Sequence, residues 1–191
     1  MHKVGAVPLI LLLLTTAAPA QIPTKGNVFL GYSYVNADLG SSGRDNLNGW
    51  NGSLEGKVFP WVGIVADISG HYGTQHFPVP CTLPVPPGCS VPPTVSADGT
   101  VHSFLFGPRL SASVGKVTPF AHALFGASHV SGSASGFTAS DTSFATALGG
   151  GIDYRLVHGI GWRVQGDWLQ TRFFSKTQNN FRLSTGLVLH F

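Results

Sequence analysis

The feature that most constrains this chain is the alternation of side chains in its last stretch. From Phe181 to Phe191 the odd positions carry phenylalanine, leucine or threonine, and the even positions carry arginine, serine, glycine, valine or histidine. A period of two is the pattern of a β-strand with two unlike faces. A strand of about 9 to 11 residues with one apolar face suits a transmembrane barrel, and it equally suits a half-buried strand of a soluble sheet.

The first twenty residues have the organisation of a secretory signal. A basic region at Lys3 precedes an apolar run over residues 4–14, and the small residues Ala-Pro-Ala follow at 18–20. The run is shorter than the roughly 17 residues that a spanning helix needs. We therefore predict a signal peptide over residues 1–20 and a single mature domain over residues 21–191.

Low charge density argues against a soluble surface. Charged residues make up 10% of the chain, whereas soluble domains contain about 25%. No segment after the signal is apolar enough for a membrane helix, and strands that face lipid reconcile these two facts. The formal net charge of +3 is weakly basic, so a nucleic-acid partner is not expected.

The mature chain contains eight strand candidates, each bounded by Gly, Pro, Asn or Ser. They cover residues 27–36, 49–59, 61–72, 100–110, 117–129, 142–155, 160–171 and 179–191. The fifth candidate leaves open which of its faces is the apolar one. Two prolines, Pro108 and Pro119, fall inside strands four and five, where each removes a ladder donor.

The connections between these strands alternate in length. Tight turns lie near Pro60, at 113–116 and at 156–159, and long loops cover 37–48, 73–99, 130–141 and 172–179. Short turns at one rim and long loops at the other are the layout of an outer-membrane barrel. We predict an all-β fold, an eight-stranded antiparallel up-and-down transmembrane β-barrel.

The chain resembles the small bacterial outer-membrane β-barrel domains, the OmpA-like transmembrane domain and its opacity-protein relatives. The Gly-Tyr-Ser-Tyr end of strand one, the Pro119-Phe120 opening of strand five and the C-terminal aromatic carry the resemblance, which spans the mature chain. It implies the outer membrane of a Gram-negative cell, with outer-membrane lipid and the barrel-assembly machinery as partners. The chain ends with the barrel, so no peptidoglycan-binding domain is expected.

The resemblance also assigns roles to outward-facing residues. A C-terminal insertion signal is implied, formed by Phe181, Leu187, Leu189 and Phe191. Aromatic residues at both interfaces anchor such barrels, and the candidates for this role are Tyr32, Trp50, Trp162 and Trp168.

If the apolar faces contact lipid, the opposite faces enclose a lumen that holds much of the charge. The predicted lumen charges are Glu55, Lys57, Asp67, Arg109, Asp153, Arg155, Arg163, Asp167 and Arg182. The lumen of an eight-stranded barrel is just wide enough to be filled by side chains. Two interpretations stay open: a salt-bridged plug, because an unpaired buried charge is costly, or a narrow gated pore whose pairs exchange partners.

The loop from Gly73 to Gly99 contains Cys81, Cys89 and seven of the thirteen prolines. We expect a disulfide between the two cysteines in an oxidising compartment. Proline and a disulfide both restrain a loop. The loop is either a protease-resistant surface segment or a recognition site for an extracellular partner.

Catalytic and metal-binding patterns are weak. His129 and Ser131 lie two residues apart, a loose match to lipid-A deacylases, but that chemistry needs an orienting acid and no glutamate follows Glu55. His71 and His76 lack a cysteine or carboxylate at ligand spacing. We expect no enzyme and no cofactor. The predicted function is a structural or surface-interaction role carried by the outer loops, with a small-solute pore as the alternative and a lipid-modifying enzyme third.

Overall fold

The computed structural model describes residues 25–38, 44–78, 94–134, 137–173 and 176–191. Its eight strands are β1 (Gly26–Asp38), β2 (Arg44–Phe59), β3 (Val62–Pro78), β4 (Thr94–Ser111), β5 (Val117–Ala134), β6 (Phe137–Val157), β7 (Ile160–Thr171) and β8 (Gln178–His190). Every strand pairs antiparallel with the next, and β1 pairs with β8 to close the ring. The predicted fold class is confirmed.

Both ends of the described chain meet at one rim of the ring. The backbone N–H of Gly26 donates to the Phe191 carbonyl at 2.9 Å, and the Phe191 N–H donates to the Gly26 carbonyl at 3.0 Å. The β6–β7 turn at this rim has Gly159 at a φ of +79°, a conformation that suits glycine in a tight hairpin. We call this end the short-turn rim and the opposite end the long-loop rim.

Strand alternation sorts the side chains between the two faces of the ring. Apolar residues point outward and stay exposed, as shown by Leu30 (64%), Phe144 (65%) and Leu148 (69%). Polar and charged residues point inward, where Arg163 and Arg182 are fully buried. A soluble protein places apolar side chains inside and polar ones outside. The opposite arrangement seen here is the one that a barrel surrounded by lipid requires. Among the described residues, no helix is long and apolar enough to cross a membrane.

The structure settles the faces of β5. Phe120 and Leu124 are buried inside the ring, whereas Phe125 points outward and is 41% exposed. The β4–β5 ladder skips the positions between Phe106↔Phe125 and Arg109↔His122. Pro108 lies in that gap because its nitrogen has no hydrogen to donate.

Several predicted loop bounds were wrong because the strands continue beyond them. β3 and β4 pair as far as Pro78↔Thr94, and β5 and β6 pair as far as Ala134↔Phe137. The flanking ladders stop earlier, β2–β3 at Asn48↔Tyr72 and β6–β7 at Ala145↔Thr171. The β5–β6 extension consists mostly of glycine, serine, alanine and threonine, and backbone hydrogen bonds can continue a ladder without apolar alternation.

The extensions form one continuous structure above the ring. β4 and β5 remain paired up to Ala97↔Ala134, so the ends of β3, β4, β5 and β6 make a four-stranded sheet. We call it the outer sheet, and it comprises residues 73–78, 94–101, 130–134 and 137–144. Its β6 portion would reach roughly 25 Å at about 3.3 Å per residue.

Candidate functional site

Two groups of ion pairs fill the lumen, and the first lies at its centre. In this central group Arg182 Nη1 lies 2.8 Å from Asp67 Oδ1, and Arg182 Nη2 lies 2.8 Å from Asp167 Oδ2. His122 Nε2 is 2.7 Å from the other oxygen of Asp167. All four side chains are buried. Arg182 is therefore the one arginine that neutralises both carboxylates.

The second group lies nearer the short-turn rim, and we call it the rim group. It is a row of alternating charge in which Lys57 and Arg109 contact Glu55 at 2.7 and 3.2 Å, and Arg109 and Arg163 contact Asp153 at 3.1 and 2.6 Å. Each carboxylate therefore contacts two cations. This redundancy distinguishes the rim group from the central group.

Neutral side chains add further hydrogen bonds to both groups. Asn51 donates to Asp67 at 2.8 Å and accepts from Gln165 at 3.0 Å. Asn27 donates to Glu55 at 2.5 Å and accepts from Arg163 at 2.9 Å. Buried polar atoms need such partners. These neutral residues and His122 were not among the predicted lumen residues, because that set was limited to formally charged side chains.

A glycine and an aromatic ring shape the space around the charges. A Cβ on Gly149 would collide with the Asp167 carboxylate and the Gly166 carbonyl, so the bare glycine leaves room for the central group. The guanidinium of Arg109 lies 3.5 Å above the centre of the Phe120 ring. Such stacking stabilises a buried cation.

An apolar cluster fills the lumen beside the ion pairs. It consists of Val65, Leu105, Leu124, Ala145, Ala147 and Leu169. Cavities lie at both openings, one of about 430 Å³ at the short-turn rim and one of about 210 Å³ at the long-loop rim. The four residues of the central group line neither cavity. Buried side chains thus occupy the described part of the lumen between the two cavities.

The structure places eight of the nine predicted lumen charges in these two groups. The exception is Arg155, which is exposed at the short-turn rim. The β6–β7 register shifts between Arg155 and Val157, so this position lies where the regular ladder ends and its side chain reaches solvent. Arg155 therefore does not belong to the buried network.

The predicted anchors and insertion-signal residues all point outward. Tyr32, Trp50, Trp162 and Trp168 are 39–59% exposed, and Phe181, Leu187, Leu189 and Phe191 are 45–59% exposed. Further outward aromatics, which the prediction omitted, include Phe59, Trp61, Tyr72 and Tyr154. Phe59 and Trp61 stack at the β2–β3 turn with ring centres 6.5 Å apart. Roles in anchoring and insertion stay predictions.

Two kinds of predicted feature remain: those that lie outside the described residues, and the candidate catalytic and metal-binding histidines. Cys81, Cys89 and the predicted signal peptide lie outside the described residues. The ring of His129 contacts the Thr142 hydroxyl at 2.7 Å. Among the described residues no hydrogen bond joins His129 to Ser131, and no group of three or more His, Cys, Asp or Glu could hold a metal ion.

Comparison with known proteins agrees with this architecture. The attachment invasion locus protein Ail of Yersinia pestis, in complex with the heparin analogue sucrose octasulfate, superposes with a TM-score of 0.57 at 14% identity, covering 86% of this chain and 98% of that one. Neisserial surface protein A gives 0.57 at 12%, covering 87% and 96%. OprG of Pseudomonas aeruginosa gives 0.52 at 8%, covering 87% and 95%. At these identities the likeness concerns the fold.

No curated protein matches the chain. The family model described as the outer membrane protein beta-barrel domain matches residues 6–191. In this family short turns face the periplasm and long loops face outward, so the short-turn rim is periplasmic and the long-loop rim extracellular. The protein is located in the outer membrane, and the chain belongs to the outer membrane protein β-barrel domain family.

Proposed function

We propose that this protein is a closed, non-conducting barrel that presents its outer sheet to an extracellular partner. One observation carries the proposal: β3 to β6 stay paired beyond the ring while the flanking ladders stop. The strands therefore continue where the membrane no longer requires them. Such an extension has a use at the cell surface and none in holding the ring together.

The filled lumen supports this role over a pore. A conducting path would have to separate Arg182 from Asp67 and Asp167, all of which are buried. Removing one partner of a buried pair costs about 3–5 kcal/mol, and 1.4 kcal/mol corresponds to about a tenfold change in population. An open state that breaks even one such pair would be populated at roughly 1% or less.

The edges of the outer sheet offer the binding chemistry. Residues 138–140 of β6 pair with β5 on one side, and no described strand pairs with them on the other. An unpaired edge presents a row of backbone N–H and C=O groups. An extended peptide can add to such an edge as a further strand. We therefore take the partner to be a protein that offers an extended segment.

The charges at the long-loop rim favour addition of a peptide strand to the sheet edge over binding of a polyanion. Among the described residues the rim carries four carboxylates (Asp38, Asp45, Asp98 and Asp141) and three cations (Arg44, Arg172 and Lys176). The sulfated sugar bound to Ail would meet a surface of mixed sign here. A heparin-like ligand therefore serves as the comparison probe.

Truncation of the outer sheet tests the proposal. One variant replaces residues 132–139 with Asn-Gly, so that the Ser131↔Ser140 pair closes a two-residue turn. A second replaces residues 75–97 in the same way, which preserves Thr74↔Asp98. We expect cells displaying either variant to lose adhesion to immobilised extracellular-matrix proteins, while the heat-dependent electrophoretic shift of the folded barrel remains.

The matched control is Arg172→Gln, which alters the same rim without removing an edge. Unchanged adhesion of both truncated variants would contradict the surface role. Loss of adhesion to heparin alone, together with an equal loss in Arg172→Gln, would assign binding to charge rather than to the strand edges.

A further inference from the structure

The cavity at the short-turn rim carries chemistry that surface binding does not use. It measures about 430 Å³ and lies on the periplasmic side, with Lys57 and Arg109 among its inner residues and Lys25 and Arg155 at its mouth. Arg109 is 1% exposed, whereas Lys25 and Arg155 are exposed to solvent. We call this cavity the vestibule.

The charge of the vestibule is not balanced. Its cations are Lys25, Lys57, Arg109 and Arg155, and Arg163 contacts Asp153 from behind. The side-chain carboxylates that line the vestibule are Glu55 and Asp153. Five cations against two carboxylates leave a surplus of positive charge. Every other side-chain carboxylate of the described residues lies in the central group or at the long-loop rim.

Hydrogen-bond donors also remain available there. The buried Nε of Arg109 has no hydrogen-bond partner among the described residues. Lys57 contacts Glu55 and the Ser111 hydroxyl, which engages two of the three donors that a lysine ammonium carries. Arg155 adds a planar guanidinium at the mouth, a group that recognises oxyanions with two parallel hydrogen bonds.

We propose that the vestibule binds a phosphate monoester from the periplasmic side. A phosphate monoester carries about −1.5 to −2 charges at pH 7 and three acceptor oxygens, which matches both the surplus charge and the free donors. Lys25 and Arg155 contact the phosphate at the mouth, and Lys57 provides the inner donor. The ligand is either a soluble phosphate compound or the headgroup of a phosphatidate in the inner leaflet.

Calorimetric titration of inorganic phosphate into the folded full-length barrel tests the site. A maltoside detergent is required because phosphocholine headgroups would compete, and chloride keeps the ionic strength constant. The combined variant Lys25→Gln/Arg155→Gln should bind phosphate at least tenfold more weakly than the wild type. Lys116→Gln should bind within twofold of the wild type, since Lys116 is exposed near the same rim but does not line the vestibule.

A second titration identifies the source of the phosphate. Dihexanoyl phosphatidate is compared with dihexanoyl phosphatidylcholine, which lacks the monoester. Phosphatidate binding that is tenfold tighter than inorganic phosphate assigns the lipid source, and equal or weaker binding assigns the soluble source. Absence of binding by both phosphates overturns the site, as does an equal loss of affinity in Lys116→Gln, which would indicate diffuse rim charge. Folding of each variant is checked by the heat-dependent electrophoretic shift.

Discussion

The ring and the outer sheet consist of the same strands but treat polar groups in opposite ways. Inside the ring, arginines and carboxylates are buried and joined in pairs, and every backbone ladder is closed. In the outer sheet the β5–β6 hairpin is mostly glycine, serine, alanine and threonine, and no described strand pairs with residues 138–140 on one side. The stability of the fold should therefore depend on the ring, whereas the outer sheet offers the edge that we propose binds a partner.

A second contrast lies within the ring itself. In the central group a single arginine neutralises two carboxylates, whereas in the rim group each carboxylate contacts two cations. The loss of one cation should therefore be felt more strongly at the centre. The rim group should tolerate the loss of one cation, because each of its carboxylates keeps a second one.

The largest effect is expected from Arg182→Met. This change leaves Asp67 and Asp167 buried without the arginine that contacts both, and it should lower the free energy of unfolding by about 3–5 kcal/mol. Tryptophan fluorescence during urea unfolding in lipid vesicles measures it. Arg172→Met, at an exposed position of the long-loop rim, is the control and should change stability by about 0.5 kcal/mol or less. A loss under 1 kcal/mol for Arg182→Met would show that the central group does not hold the ring.

Arg109→Met should have a smaller effect. Glu55 keeps Lys57 and Asp153 keeps Arg163, so we expect a loss of about 1–3 kcal/mol, below that of Arg182→Met. The same unfolding measurement compares the two variants directly. An Arg109→Met loss equal to or larger than that of Arg182→Met would contradict the redundancy of the rim group.

Gly149→Ala tests how tightly the lumen is packed. The new methyl group would collide with the Asp167 carboxylate and a backbone carbonyl, and overpacking of this kind costs about 1–3 kcal/mol. Gly132→Ala in the outer sheet is the matched control, because its nearest neighbour, the Asp98 carbonyl, is 3.7 Å away. Equal stability of the two variants would remove the contrast between ring and sheet.

The smallest effect on stability is expected from truncating the β5–β6 hairpin at 132–139. This removal leaves every ion pair of the lumen intact, so the free energy of unfolding should change by about 0.5 kcal/mol or less. In the wild type, the amides of residues 138–140 should exchange with deuterium faster than those of 146–152, which lie between two paired strands. Equal protection of both segments would indicate that the edge is covered.

The sequence was sufficient for the order of the strands and for the inward placement of most lumen charges, because parity along a strand fixes the face. The sequence could not show which charged residues form ion pairs across the lumen. Asp67 on β3 contacts Arg182 on β8, and Arg109 on β4 contacts Asp153 on β6. These contacts cross the lumen between strands that are not neighbours, so they depend on the register of the whole ring rather than on local spacing.

The outer sheet was missed for a different physical reason. Residues 130–144 are mostly glycine, serine, alanine and threonine, and apolar alternation is the signal by which a strand is recognised. Their strands exist because backbone hydrogen bonds continue the ladders of the ring. Arg155 keeps the inward parity of β6, but it forms the last regular pair before the register shift, where its side chain is exposed to solvent.

Conductance in a planar lipid bilayer tests the central claim most directly. With the purified folded barrel in 1 M KCl on both sides, the account predicts no steady channel, because the central group and the apolar cluster block the lumen between its two cavities. Arg182→Met, measured in parallel, should show more frequent current events than the wild type. Steady unit conductance of the wild type would contradict the closed lumen and favour the small-solute pore.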